Sequence, residues 1–140
     1  MSGFLLDTNV VSELVKPRPD INVVQWLRAT DENLLYLSVL TLGEIRKGIT
    51  SLQDDAKRAR LEAWLDSDLG LRFSGRILEI DQIIADRWGR ISGKAQSKGN
   101  PLPVIDALLA ATALQHDLTL VTRDTQHLAE VNVSSFNPWK

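Results

Sequence analysis

The sequence predicts an α/β fold in which a parallel β-sheet is covered by helices on both faces. Short apolar runs alternate along the chain with longer segments of helical character. The runs are apolar on both faces, as expected for strands buried between two layers of helices. A chain of 140 residues is long enough for one domain with a sizeable core, so residues 1–140 are predicted to form a single domain.

The first elements follow from apolar runs and from the residues that end them. Residues 4–6 are a short apolar run typical of a strand. Residues 10–15 predict a short helix, which the Lys-Pro-Arg-Pro segment behind it ends. A second helix is predicted from Asp20, a residue that caps helices well, to about residue 30. Residues 34–39 have the composition of the next buried strand.

The middle of the chain is predicted to be mostly helical. Helices are expected over residues 41–52 and 54–68, where apolar side chains recur at helical spacing. Residues 77–81 predict the third strand. A long helix is then expected over residues 82–98, and a Gly-Asn-Pro segment stops it.

The last part of the chain returns to the strand–helix alternation. Pro103 is well suited to the first turn of a helix, and residues 107–114 are almost wholly apolar. Residues 118–122 predict a strand, Asp124 is expected to cap a short helical turn, and residues 131–136 predict a final strand.

Composition excludes several kinds of chemistry. The chain has no cysteine and only two histidines, which excludes thiol nucleophiles and leaves little for a histidine zinc site or a Ser–His–Asp triad. The formal net charge of −2 argues against a protein that coats nucleic acid by bulk positive charge. No segment has the roughly 18 apolar residues of a membrane span, and the first residues lack the basic region of a signal peptide. A cytoplasmic protein without membrane association is therefore predicted.

Four acidic residues fall at the edge of the sheet where this architecture places its sites. Asp7 and Asp124 follow predicted strands, whereas Glu44 and Asp106 lie in the first turns of predicted helices. Clustered carboxylates repel one another unless a cation lies among them, and a site of oxygen ligands alone suits Mg²⁺ or Mn²⁺. Such a site favours hydrolysis of a phosphate ester.

Each acid also has a purely structural interpretation. Asp7 and Asp124 fit helix caps or turn residues. Thr41 and Glu44 have the spacing of a capping box, in which Glu44 would bond back to the backbone at the start of the helix. Asp106 would complement a helix dipole. Position alone does not separate these roles, because the helix starts of this chain lie at the same edge as the predicted site.

Four segments form an ordered series along the chain: LLDTNV at residues 5–10, LGEIRKG at 42–48, VIDALLAATA at 104–113 and LVTRD at 120–124. In order and in spacing they resemble the motifs of the PIN-domain ribonucleases. The resemblance is strongest to the VapC-type toxins of prokaryotic toxin–antitoxin modules and to their FitB-like relatives. Any one motif is weak, but the ordered series is specific and spans nearly the whole chain.

The resemblance implies a three-layer α/β/α sandwich and an endoribonuclease that acts as a toxin. It implies that Mg²⁺, or Mn²⁺ in its place, is bound by the acids and that metal-activated water hydrolyses RNA phosphodiester bonds. Asn9 and Thr122 match polar motif positions and would orient these groups; local turn bonding is the alternative. A cognate antitoxin protein and a second copy of the chain are the implied partners. The residues implied to be both catalytic and metal-binding are Asp7, Glu44, Asp106 and Asp124.

A basic rim is predicted around the acidic centre. Four of its residues are spaced three, four and four apart, which places them along one helix face, and two more adjoin acidic residues of the predicted site. Such a rim would hold a phosphodiester backbone. A solvated helix face is the alternative for the four, and Arg46 would equally pair with a nearby acid. The predicted RNA-binding residues are Arg46, Arg87, Arg90, Lys94, Lys98 and Arg123.

Two other functions compete with the ribonuclease. A phosphotransferase or phosphatase of the haloacid-dehalogenase type has a nucleophilic Asp after its first strand, but such sites favour a second Asp two residues later, where this chain has Asn9. A catalytically inactive PIN-like module that binds RNA or protein is the second alternative, and the complete set of four acids argues against it. Asp86 is a further acid that we do not assign to the site.

Overall fold

Five parallel strands form the central sheet of the computed structural model, which describes residues 2–140. The strand order is β3-β2-β1-β4-β5, and every neighbouring pair is parallel. The predicted parallel sheet is therefore confirmed, with each strand lying inside the segment that predicted it. The strands are β1 (Phe4–Leu6), β2 (Leu35–Ser38), β3 (Ile77–Leu78), β4 (Thr119–Val121) and β5 (Ser135–Phe136).

Helices connect the strands and cover both faces of the sheet. A π-helical segment, Trp64–Leu69, joins α4 to α5, so this helical stretch runs past the predicted end at residue 68. Short 3₁₀ turns at Glu32–Leu34 and Thr125–Leu128 precede β2 and follow β4. The α-helices are α1 (Thr8–Glu13), α2 (Ile21–Ala29), α3 (Val39–Thr50), α4 (Asp55–Ala63), α5 (Gly70–Arg72), α6 (Gln82–Ser97) and α7 (Val104–Gln115).

Two hydrophobic clusters fill the spaces on either side of the sheet. Leu6 faces the larger cluster, which α1 to α5 complete with residues such as Val10 and Phe73. Its neighbour Leu5 faces the other cluster, where Leu109 of α7 packs. Successive residues of a strand point to opposite faces, which is why one strand contributes to both clusters. Helices, sheet and helices form the three layers of the predicted α/β/α sandwich.

The start of α3 differs from the sequence prediction. The helix begins at Val39 rather than residue 41, and the side chain of Ser38 caps it by accepting a hydrogen bond from the Leu40 backbone N–H. The capping-box interpretation of Thr41 and Glu44 is therefore wrong. Val39 and Leu40 extend the apolar run of β2, and the sequence gives no sign that the helix has already begun there. Glu44 consequently lies in the second turn of α3, not in the first.

The sheet order places a switch point between β1 and β4. From β1 the chain adds β2 and β3 on one side, and β4 and β5 later extend the sheet from the other side of β1. Sheets of this kind form a ligand crevice outside the carboxyl ends of the strands at such a point. Asp7 and Asp124 follow the two strands that border it. No helix within residues 2–140 has the length and apolar character needed to cross a membrane.

Candidate active site

Asp7 lies at the carboxyl end of β1 and caps α1. Its backbone N–H donates to Val121 O of β4 at 2.9 Å, which fixes it at the switch point. Its side chain accepts a hydrogen bond from the Thr8 backbone N–H at 2.6 Å. The residue is only 8% exposed. The helix-capping role and the position at the predicted site therefore coincide in one residue.

The surroundings of Asp7 oppose its negative charge. Burial has the largest effect and raises the pKa of its carboxyl group. Hydrogen bonds from Thr122 and from the Thr8 backbone lower that pKa only in part, and the negative charges of Asp106 and Glu44 raise it further. These carboxylates are thus close enough to repel one another, as the sequence predicts for an acidic site.

Thr122 and Asn9 join Asp7 to Asp124. The Thr122 hydroxyl is buried and donates to Asp7 Oδ2 at 2.7 Å, while it accepts from the Asp124 backbone N–H at 3.1 Å. Asn9 Nδ2 lies 3.4 Å from Asp124 Oδ2 and 3.5 Å from Thr122 Oγ1. The Asp124 side chain makes no capping hydrogen bond to the 3₁₀ turn that follows it, so its predicted capping role is wrong. Its carboxylate faces Asn9 instead.

Glu44 reaches the site from α3 through a contact with α1. Thr8 Oγ1 donates a hydrogen bond to Glu44 Oε1 and lies 3.3 Å from Thr41 Oγ1. No role for Thr8 was predicted from the sequence, although its position between Asp7 and Asn9 could have indicated one. The hydroxyl orients Glu44 on the side of the crevice away from β4.

Asp106 is oriented by a histidine that the sequence analysis did not assign. Asp106 lies in the first turn of α7, and its Oδ2 is 3.0 Å from Nδ1 of His127 in the 3₁₀ turn. The hydrogen bond to Asp106 raises the pKa of His127, and the negative charge of Asp124 acts in the same direction. The spacing of His127, three residues after Asp124, would have placed it on the same turn as the predicted site.

Each of the four acids contacts a different side chain of this chain, and their carboxylates do not converge on one point. Within residues 2–140, no three carboxylate or imidazole groups are grouped as they would be around a metal ion. The donors nevertheless fit a hard divalent cation, because they are all oxygens and include a buried carboxylate with a raised pKa. Asn9 Oδ1 is a further buried oxygen that accepts no hydrogen bond from any group in the described part of the chain.

The comparisons with known proteins identify the family of the chain. A family model described as "PIN domain" matches residues 4–133. The chain belongs to the PIN domain family. The predicted membership is thereby confirmed, and the match spans all four acids.

Relatives within the family match along almost their whole length. Toxin FitB of Neisseria gonorrhoeae is 39% identical over 135 residues, which cover 96% of this chain and 97% of FitB. VapC ribonuclease Y4jK of Sinorhizobium fredii is 32% identical over 136 residues, covering 97% of each protein. The crystal structure of FitAcB from Neisseria gonorrhoeae superposes with a TM-score of 0.92 at 39% identity, covering 97% of this chain and 98% of that one. The predicted resemblance to FitB-like and VapC-type proteins is confirmed.

The predicted basic residues divide into paired and unpaired groups. Arg46 pairs with Asp66, and Arg90 pairs with Asp86 at 2.8 Å, so each has a carboxylate partner at the surface. Arg123 lies over the ring of Trp139, with its guanidinium carbon 4.2 Å from the ring centre, and also forms a long ion pair of 3.9 Å with the buried Glu13. Arg87 borders a surface cleft along α6. Lys94 and Lys98 line a cavity between α6 and α7. RNA binding by these residues stays a prediction.

Proposed function

We propose that this protein is a divalent-metal-dependent endoribonuclease that acts in the cytoplasm as the toxin of a toxin–antitoxin pair. The observation that carries the proposal is the buried carboxylate of Asp7, which lies at the switch point with Asp106 and Glu44 near enough to raise its pKa. A protein keeps such unfavourable charges together where a cation or a reaction needs them. The full-length similarity to Toxin FitB and to a VapC ribonuclease supports the same function.

Some residues of the site would bind the metal ion, and others would orient the residues that bind it. Asp7, Glu44, Asp106 and Asp124 would hold Mg²⁺, or Mn²⁺ in its place. When bound, the ion supplies Lewis-acid polarisation of the phosphate and lowers the pKa of a water molecule. The hydroxyls of Thr122 and Thr8 fix the carboxylates of Asp7 and Glu44 by hydrogen bonds. Orientation of this kind typically changes metal affinity or activity by about 10–100-fold.

His127 and Asn9 complete the support of the site. His127 fixes the Asp106 carboxylate at the start of α7, and the Nδ2 group of Asn9 faces Asp124. Burial keeps bulk water away from Asp7, whereas Asp124 is exposed at the rim where a phosphodiester would arrive. We expect hydrolysis to break the bond between phosphorus and the 3′-oxygen, which leaves a 5′-phosphate and a 3′-hydroxyl.

An antitoxin protein and a second copy of the chain are the proposed protein partners. The relative FitB is named a toxin, and the similar solved structure is that of FitAcB from the same organism. Co-expression with a candidate antitoxin protein, followed by size-exclusion chromatography with light scattering, tests both partners. The expected result is a complex that contains two copies of this chain and that no longer cleaves RNA.

The test of the catalytic assignment compares three variants. Asp7→Asn and Asp106→Asn remove one negative charge each from the site, and Asp68→Asn removes an exposed charge far from it in the sequence. Each protein is expressed in an inducible strain and assayed for growth arrest, and the purified protein is incubated with total RNA and Mn²⁺, with and without chelator. We expect both site variants to lose growth arrest and RNA cleavage, and Asp68→Asn to retain them.

The outcomes separate the candidate functions. If the two site variants cleave RNA as fast as the wild-type protein, the catalytic assignment is wrong. If the folded wild-type protein binds Mn²⁺ by calorimetry without any cleavage, the chain is a binding module that retains the site. Absence of carboxylate-dependent heat together with absence of cleavage would reject the metal site itself.

A further inference from the structure

A cavity of about 300 Å³ lies between α6, α7 and the segment that follows the 3₁₀ turn. We call it the α6–α7 pocket. Its size falls at the lower end of the range for small-molecule sites in proteins. None of the four acids of the site lines it. The residues that line it include Lys94, Lys98, Leu102, Leu114, His127 and Asn132.

The α6–α7 pocket adjoins the acidic site through one side chain. His127 lines the pocket, and its Nδ1 lies 3.0 Å from Oδ2 of Asp106. A ligand that entered the pocket would therefore lie one side chain away from a carboxylate of the proposed catalytic set. An RNA chain bound across the acidic site would therefore place the nucleotide next to the cleaved phosphodiester at the pocket.

The walls of the pocket combine apolar surface with polar groups at the mouth. Leu102 and Leu114 are half-buried, so part of each side chain is covered and part borders the cavity. Asn132 and Glu130 are exposed residues that bring amide and carboxylate groups. Apolar walls accept the flat faces of a nucleobase, and amide and carboxylate groups bond to its polar edge.

The charge at the pocket matches a nucleic-acid backbone. Lys94 and Lys98 are exposed, and no carboxylate within residues 2–140 forms an ion pair with either of them. Arg90, one turn before Lys94, is by contrast paired with Asp86. The two lysines provide positive charge for a phosphate, as the basic grooves of single-stranded nucleic-acid sites do, and Leu102 and Leu114 provide apolar surface for a base.

We propose that the α6–α7 pocket binds an unpaired nucleobase of the RNA substrate, next to the phosphodiester that is cleaved, while Lys94 and Lys98 bind the adjoining phosphate. This inference rests on the proposed ribonuclease function and adds the origin of its sequence preference. A base inside a cavity of this size is unstacked, so the substrate at this position is single-stranded or looped RNA. The pocket, rather than the acidic centre, then determines which nucleotide flanks the cut.

The test fills the pocket without changing its charge. Ala95 lines the pocket and Gln96 does not, so Ala95→Phe places an aromatic ring in the cavity and Gln96→Phe places the same ring beside it. Asn132→Ala, at an exposed position, is a milder change that is not expected to affect folding. Binding of a fluorescent random-sequence single-stranded RNA is measured in chelator, and the nucleotides around the cut sites are sequenced after incubation with Mn²⁺.

We expect the wild-type protein and Gln96→Phe to share one nucleotide preference at a fixed position beside the cut. Ala95→Phe is expected to bind the RNA about tenfold more weakly in chelator and to lose that preference. Asn132→Ala is expected to weaken the preference at the same position and to leave the other positions unchanged. Thermal unfolding of each variant confirms that it is folded.

The possible failures are distinguishable. If Ala95→Phe and Gln96→Phe bind and cut alike, with Asn132→Ala also unchanged, the pocket inference is overturned while the ribonuclease function stands. If the wild-type protein binds RNA through the pocket in chelator but never cuts it with Mn²⁺, the pocket is retained and the proposed function is overturned. If Ala95→Phe alters only association with the antitoxin, the pocket belongs to a protein partner and the inference is wrong.

Discussion

The hydroxyl of Thr122 donates to the carboxylate of Asp7 at 2.7 Å, and this bond joins the ends of the two strands that border the switch point. The same hydroxyl accepts from the Asp124 backbone N–H at 3.1 Å, so one buried oxygen relates two acids that are 117 residues apart in the chain. The hydroxyl of Thr122 thus both partly offsets the cost of burying Asp7 and fixes the turn that carries Asp124.

Thr122→Val removes this hydroxyl and keeps the shape of the side chain. The buried Asp7 carboxylate then loses a donor, so we expect a loss of about 1–3 kcal/mol in the free energy of unfolding. RNA cleavage is expected to fall by about 10–100-fold because both acids lose their orientation. Urea unfolding and cleavage rates measure the two effects. Thr119→Val, which removes a hydroxyl 3.2 Å from Ser134 Oγ at the other end of β4, serves as the control and should keep full activity.

Asp7→Asn is expected to make the metal-free protein more stable while it abolishes cleavage. The native state raises the pKa of Asp7, so it binds the proton more tightly than the unfolded chain does, and ionisation at neutral pH lowers native stability. Removal of the charge should raise the free energy of unfolding in chelator by about 1 kcal/mol, as is common when active-site charges are neutralised. Asp68→Asn should have little effect.

Addition of Mn²⁺ should make the wild-type protein more stable than Asp7→Asn, the reverse of the order expected in chelator. An ion that binds only the native state adds about 2.7 kcal/mol at a concentration one hundred times its dissociation constant. The wild-type protein should therefore gain stability with Mn²⁺, and Asp7→Asn should gain little. If the wild-type protein were already the more stable of the two in chelator, burial and the neighbouring negative charges would not destabilise the ionised Asp7 as expected.

The central strands β1, β2 and β4 were predictable from the sequence because burial makes each of them a nearly uninterrupted apolar run. The same pattern located Asp7 and Asp124, since each follows such a run at the carboxyl edge of the sheet. The start of α3 was not predictable, because Val39 and Leu40 continue the apolar run of β2 after the backbone has become helical. Local propensity does not report the tertiary packing that decides where a helix begins.

The partners of the acids were the least predictable part of the site. Thr8 contacts Glu44 across 36 residues, and His127 contacts Asp106 across 21 residues. Such contacts depend on how strands and helices are arranged in space, which spacing along the chain does not encode. The count of two histidines argued against a histidine zinc site or a Ser–His–Asp triad. It did not argue against a histidine that orients a carboxylate, which is the role that His127 has toward Asp106.

The stability of the protein should depend on pH through Glu13. This residue is only 4% exposed. Burial is the largest effect on its carboxyl group and raises the pKa, but hydrogen bonds from Lys16 and from the Asp20 backbone N–H, with the charges of Lys16 and Arg123, together lower it below the ordinary glutamate value. The ionised group therefore stabilises the native state above the pKa of the unfolded chain, and this contribution is lost as pH falls through the lower native pKa.

Glu13→Gln tests this dependence. We expect a loss of about 1–3 kcal/mol at neutral pH, because the Asp20 N–H and Lys16 lose a charged acceptor. The difference from the wild-type protein should begin to shrink as the pH falls below the ordinary glutamate pKa, because the unfolded chain then takes up the proton. It should disappear once the pH is below the lower native pKa, since the native Glu13 side chain is then neutral as well. Urea unfolding over a series of pH values measures the difference. The exposed Glu79→Gln is the control, and its difference from the wild-type protein should be small at every pH.

Gly3→Ala should destabilise the protein where the chain enters β1. A Cβ atom at Gly3 would lie 2.4 Å from the carbonyl oxygen of Leu34, a contact with backbone that no side-chain rotation relieves. We expect a loss of about 1–3 kcal/mol in the free energy of unfolding. Gly89→Ala is the matched control: Gly89 is exposed within α6, and a Cβ there would meet nothing within 4 Å. That change should stabilise the protein by about 0.5–1 kcal/mol, since alanine favours the helix.

A neutral Gly3→Ala variant would mean that β1 moves away from β2 to admit the methyl group. Phe4 pairs with Leu35 and Leu5 with Tyr36, so such a movement would carry the whole of β1 and displace Asp7 at its other end. RNA cleavage then separates the two cases. If the variant is destabilised but β1 stays in register, it should cleave RNA at the wild-type rate below its unfolding temperature. If β1 shifts instead, the variant should keep its stability and lose cleavage, because Thr122 and Asp7 are then no longer in contact.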